Sequence, residues 1–131
     1  MKLLVIDDEE AVAQIVSEIA AQGGWESTHR SRVQDIIGLV KEELPDVAMI
    51  DYRMPGRNGL ELIQTLRDAG SQLPVVLFTG FASEVNEDLC RKLGVFAILE
   101  KPLSIPELRK TLNLAVKSPG RAGSVPARTA I

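Results

Sequence analysis

A chain of 131 residues with 45% hydrophobic and 25% charged side chains has the composition of one ordinary globular domain. Its net charge of −3 excludes an electrostatic grip on nucleic acid or an anionic membrane as the main activity, so neither is expected as a direct partner. A lone cysteine, Cys90, excludes an intrachain disulfide and makes a cysteine-based zinc site implausible.

The apolar start at Leu3–Ile6 is cut off by Asp7, Asp8, Glu9 and Glu10, too soon for a secretory segment. No apolar run reaches the ~20 residues a membrane span needs, so the expected compartment is the cytoplasm. Leu3–Ile6 reads instead as a first strand. A helix follows, with Ala11, Ile15, Ile19 and Ala20 on one face and a stop at Gly23-Gly24. Trp25–His29 is a more polar, more alternating strand, expected nearer a sheet edge. Ser31 with Gln34 reads as a capping box opening a second helix, with Val33, Ile36, Ile37 and Val40 inward.

Val47–Ile50 is a third strand. Asn58 with Glu61 opens a third helix that carries Leu60, Ile63 and Leu66. Val75–Phe78 is a fourth strand, and Ser83 is expected to cap a fourth helix with Val85, Leu89 and Leu93 inward. Val95–Leu99 is a fifth strand. Ser104 with Glu107, and Pro106 in the first turn, open a fifth helix striped by Leu108, Leu112 and Ala115. From Ser118 to Ile131 the chain turns to Pro, Gly and Ser without acids or a helical stripe. This reads as a flexible tail or the start of a linker, so the expected division is 1–117 and 118–131.

Strand and helix thus alternate five times. Continuous apolar strands and right-handed crossovers give an open, doubly wound parallel sheet with helices on both faces. In such folds the chemistry lies beyond the carboxyl ends of the strands. Those ends carry Asp7-Asp8, Asp51, Thr79-Gly80 and Glu100-Lys101-Pro102. If the strands concerned are neighbours, three carboxylates converge and repel one another unless a cation relieves them. All-oxygen ligands favour hard magnesium over zinc. A carboxylate nucleophile, magnesium, a lysine and a hydroxyl are what phosphoryl transfer requires.

The segments VIDDEE, MIDYRMPGRNGLELI, PVVLFTGFAS and GVFAILEKPLS, in this order and each closing an apolar strand, resemble bacterial response-regulator receiver domains over residues 2–117. TGFAS and the helix after it also resemble receivers attached to hybrid sensor kinases. The resemblance implies a single-domain (βα)5 fold of flavodoxin-like topology, with strand order 2-1-3-4-5. It implies a signalling phospho-acceptor rather than an enzyme, with only self-phosphotransfer and slow autodephosphorylation. Asp51 would take a phosphoryl group from a histidine kinase or phosphotransfer protein. Asp8 and Asp51 would bind magnesium directly, Asp7 through water, and the Arg53 backbone carbonyl would complete the protein ligands. Lys101 would pair with Asp51 and then with a phosphoryl oxygen, aimed inward by a cis bond before Pro102. The Thr79 hydroxyl would move to the phosphoryl group, with Gly80 leaving room. The fourth helix, fifth strand and fifth helix would form the readout face towards a second copy or an output domain. One departure stands out: Ile98 occupies the position of the family's switching aromatic, and Phe96 lies two residues before it.

Several residues have plainer readings. Arg53 reads as solvent-facing, near the phosphoryl entry path with Phe81, where both would gate water. His29 reads as a strand residue, Cys90 as a small apolar helix residue and Trp25 as packing. Two other functions are disfavoured. A haloacid-dehalogenase-type phosphatase would need an Asp two residues after Asp7, where Glu9 stands, and a cap domain there is no room for. A flavin site would need a first loop that cradles phosphate, which Asp7–Glu10 would repel. The expectation is either a stand-alone unit or the first piece of a longer protein.

Overall fold

The computed structural model describes residues 1–117; the expected tail, 118–131, lies outside the described residues. In chain order the elements are β1 (Lys2–Ile6), α1 (Glu10–Gln22), β2 (Glu26–Arg30), α2 (Ile36–Glu43) and β3 (Val47–Asp51). They continue with β4 (Arg53–Met54), β5 (Arg57–Asn58), α3 (Gly59–Asp68), β6 (Val75–Thr79), a 3-10 turn (Ala82–Glu84), α4 (Glu87–Lys92), β7 (Ala97–Glu100) and α5 (Ile105–Val116). β1, β2, β3, β6 and β7 form one parallel sheet in the order β2-β1-β3-β6-β7. Numbered among themselves these strands run 2-1-3-4-5, as expected. The more polar β2 is at an edge.

The continuous apolar strands are explained by the two cores they feed. Leu3, Val5, Val47, Met49, Val76 and Phe78 point to one side, where α1 and α5 cover them. Leu4, Ile6, Ala48, Ile50, Val75 and Leu77 point to the other, under α2, α3 and α4. Both faces are dry, so alternation has nothing to report. Among the described residues, no helix is long and apolar enough to cross a membrane.

Three local expectations are corrected. The buried face of α1 is Ala13, Val16, Ile19 and Ala20, not the face holding Ala11 and Ile15; Ile15 is 54% exposed. Ser31 and Gln34 do not open α2. Asp35 does, its carboxylate accepting from the Gly38 N–H, and Val33 lies before the helix, half-buried. Ser83 does not cap α4 either: it lies in the 3-10 turn, and Asn86 accepts from the Leu89 N–H to open a helix of six residues. In contrast, Asn58 and Glu61 form a reciprocal capping box on α3, and Ser104 accepts from the Glu107 N–H on α5. The short hairpin β4–β5 directly after the acceptor strand was not expected.

Candidate phosphoryl-acceptor site

Parallel register brings the ends of β1, β3, β6 and β7 to one mouth, where β1 ends on Ile6 beside Ile50, and Thr79 pairs with Glu100. Asp7 follows β1, Asp51 ends β3, Thr79 ends β6 and Lys101 follows β7. Asp7 and Thr79 are fully buried and Asp51 is only 3% exposed. Lys101 reaches across this mouth, its Nζ lying 3.3 Å from Asp51 Oδ2, 3.4 Å from Asp7 Oδ2 and 3.1 Å from Glu9 Oε1. Its backbone N–H donates to the Thr79 carbonyl at 2.8 Å, and the Lys101-Pro102 bond is cis.

The surroundings of Asp51 are tight. The Arg53 N–H donates to Asp51 Oδ1 at 3.3 Å. The Gly59 N–H donates to the Tyr52 carbonyl, and α3 begins so close that a Cβ on Gly59 would stand 2.5 Å from the Asp51 carbonyl oxygen. On β1, the Glu9 N–H donates to Asp7 Oδ1 at 2.9 Å, and His29 Nε2 lies 2.8 Å from the Asp7 carbonyl oxygen. Thr79 Oγ1 accepts from the Phe81 N–H at 2.9 Å.

Burial is the main cause that pushes the Asp51 carboxyl from 3.8 up to about 7. The Asp7 carboxylate adds to the rise, and Lys101 opposes it. For Lys101, burial disfavours the charge, but Asp51, Glu9 and Asp7 together outweigh it and raise its pKa. Asp7, Asp8 and Asp51 each offer a carboxylate oxygen within 4.8 Å of the others, with Asp8 exposed on the open side. This hard, all-oxygen set fits a divalent cation such as magnesium. Beside it opens a cleft of about 120 Å³ lined by Glu9, Asp51, Arg53, Thr79, Gly80, Phe81 and Lys101.

Asp7, Asp8, Asp51, Arg53, Thr79, Gly80 and Lys101 therefore share one mouth. Residues 3–113 match the response regulator receiver domain family. The chain belongs to that family. The receiver domain of the Francisella response regulator 1452 is 30% identical, with a TM-score of 0.79 over 88% of this chain and 96% of that one. A response regulator receiver domain protein from Clostridium thermocellum is 27% identical, with a TM-score of 0.79 over 88% of this chain and 94% of that one. The BeF3-activated N-terminal receiver domain of Klebsiella pneumoniae RstA shares the fold at 23% identity, with a TM-score of 0.81 over 90% of this receiver and all of that chain.

Motif reasoning missed two features of this receiver's site. Glu9 is a third carboxylate on Lys101, and its place directly after Asp7-Asp8 was the available signal. Arg53 is exposed but engaged: it lies 2.7 Å from Glu84 and 4.2 Å over the Phe81 ring. Nothing local in the sequence announces that contact.

Proposed function

We propose that this receiver accepts a phosphoryl group on Asp51 from the phosphohistidine of a histidine kinase or phosphotransfer protein, and that the change switches residues 1–117 towards a partner or output domain. The observation that carries the reading is Asp51 itself. It is a buried strand-end carboxylate crowded by Asp7, faced by Lys101 at 3.3 Å, and open to a cleft shared with Thr79.

An Asp51 carboxylate oxygen forms a bond to phosphorus as the phosphorus–nitrogen bond of the donor breaks, its electron pair staying on the imidazole. Lys101 passes from Asp51 to a phosphoryl oxygen, keeping its charge at the same mouth. Thr79 gives up its bond with the Phe81 N–H and donates its hydroxyl to the phosphoryl group, with exposed Gly80 leaving space. Asp8 and Asp51 would hold magnesium directly, Asp7 through water, and the Arg53 carbonyl would complete the set. When bound, the ion supplies neutralisation for the oxygens of the transferring group. Return to the resting state is slow attack of water on phosphorus, releasing phosphate and restoring the carboxylate. The receiver is thus a signalling component that acts on itself, not an enzyme with turnover.

The conformational route proposed here uses no switching aromatic. Ile98 is 1% exposed, fixed in the core beneath α3 and α4, and has no ring to swing. Readout at α4, β7 and α5 therefore begins from the loop after Thr79. The test is beryllofluoride with magnesium: amide signals of Thr79 and Lys101 should move in the native chain and stay still in Asp51→Asn. No movement in the native chain with magnesium bound would refute the reading.

A further inference from the structure

The turn between β6 and α4 is held by one hydrogen bond to the end of β6 and by two polar contacts to the loop after Asp51. The Thr79 hydroxyl accepts from the Phe81 N–H at 2.9 Å, Tyr52 donates its hydroxyl to the Glu84 carbonyl at 3.3 Å, and Arg53 pairs with the Glu84 carboxylate at 2.7 Å. Arg53 also rests over the Phe81 ring at 4.2 Å, and both residues line the cleft that Asp51 opens into. The guanidinium is therefore kept at the cleft by an aromatic face while its charge is spent on a carboxylate outside it. That carboxylate holds it weakly. The Arg53 and Glu84 side chains are 57% and 42% exposed, and exposed pairs of this kind contribute little. A phosphoryl group on Asp51 adds roughly −1.5 to −2 charges and three acceptor oxygens. It matches the planar fork of arginine better than one carboxylate does.

We infer that Arg53 is a phosphoryl-binding residue held in reserve by Glu84, exchanging the Glu84 carboxylate for a phosphoryl oxygen when Asp51 is modified. The exchange rests on the phospho-acceptor reading above and supplies what Ile98 cannot. Thr79 and Arg53 both leave the same turn, Phe81–Glu84, which then keeps only the Tyr52 bond to the Glu84 carbonyl as a polar tie to the loop after Asp51, so α4 directly after it is held more loosely. No bond beyond the phosphoryl transfer itself is made or broken; only one charged partner replaces another.

The test uses acetyl phosphate as a small donor, with magnesium, on the native chain, Glu84→Gln, Arg53→Ala and the double variant. Glu84→Gln frees Arg53, so half-saturation should fall by about two- to fivefold, the range an exposed ion pair commands, with the maximal rate little changed. Arg53→Ala should raise half-saturation and erase the effect of Glu84→Gln, so that the double variant equals Arg53→Ala alone. In addition, beryllofluoride should move the Glu84 amide further in the native chain than in Arg53→Ala, where only Thr79 leaves the turn. A Glu84→Gln effect that persists without Arg53, or a half-saturation unchanged by Glu84→Gln while Asp51 is still modified, overturns the exchange and leaves the acceptor intact. No modification of the native chain overturns both.

Discussion

Asp51 sits beside Asp7 with Lys101 offsetting only part of the crowding, and its pH behaviour follows from that. Its folded value of about 7 lies above its ordinary 3.8, so between these limits the folded chain binds the extra proton. Stability is then fullest below the window and falls as pH rises through it. Without divalent cation, Asp51→Asn should stabilise the chain by ~1–3 kcal/mol at about pH 8 and by much less at about pH 5, as read by urea melts. An equal gain at both pH values would show that repulsion at this site is not the cause. Magnesium should shrink the gain at the higher pH, because the cation lets Asp51 ionise while folded. Gly59 bounds the same residue from behind. Gly59→Ala drives a methyl to 2.5 Å of the Asp51 carbonyl and 3.0 Å of Ile50 and Leu77. A loss of ~2–4 kcal/mol in denaturant melts is expected, since backbone on that side has nowhere to retreat.

The elements divide into those whose ends are announced locally and those whose ends are decided by packing. Strand ends were legible because each continuous apolar run stops at a charged or hydroxyl residue: Asp7, Asp51 and Thr79, and Glu100 with Lys101 next to it, and of these Asp7, Asp51, Thr79 and Lys101 meet at the candidate site. Helix starts were less so. Ser31 and Asp35 both offer a capping oxygen within one turn, and only the backbone geometry at Asp35 selects between them. In α1, apolar Ala11, Val12, Ala13, Ile15 and Val16 allow two phasings of the stripe; packing against the sheet and α5 buries Ala13 and Val16 and leaves Ile15 out. The Arg53–Glu84 pair joins residues 31 apart in sequence, beyond any local pattern. Two element ends yield tests. Leu44 closes α2 in the left-handed region at φ 50 and is 74% exposed, so Leu44→Gly should stabilise by ~0.5–1 kcal/mol in thermal melts. Arg67 at the end of α3 donates to the carbonyls of Leu93, Ser71, Leu73 and Gly94, tying α3 to the turn before β7. Its desolvated guanidinium, whose pKa burial lowers, is met there by carbonyls. Arg67→Met should cost ~1–3 kcal/mol in denaturant melts, because four part-buried carbonyls lose their donor together.

Across the whole molecule, a rigid sheet with two dry cores holds the acceptor while the parts free to respond lie on one side of it. β3 and β6 are buried along their length, whereas the stretch from Gly80 to Glu84 is largely exposed and bound to the acceptor loop by single polar contacts. A phosphoryl group on Asp51 would act first on this connection, the weakest one near it. The core beneath Ile98 need not repack. The strand-end carboxylates, hydroxyl and lysine are in place, while Ile98 stands where a switching aromatic was expected. All of this depends on where the phosphoryl group goes. The deciding measurement is phosphoryl transfer from a histidine kinase or acetyl phosphate with magnesium, followed by borohydride reduction and peptide mass analysis. One modified site is predicted, in the peptide holding Asp51, and none in Asp51→Asn. Modification at another residue, or equal uptake by Asp51→Asn, would contradict the account.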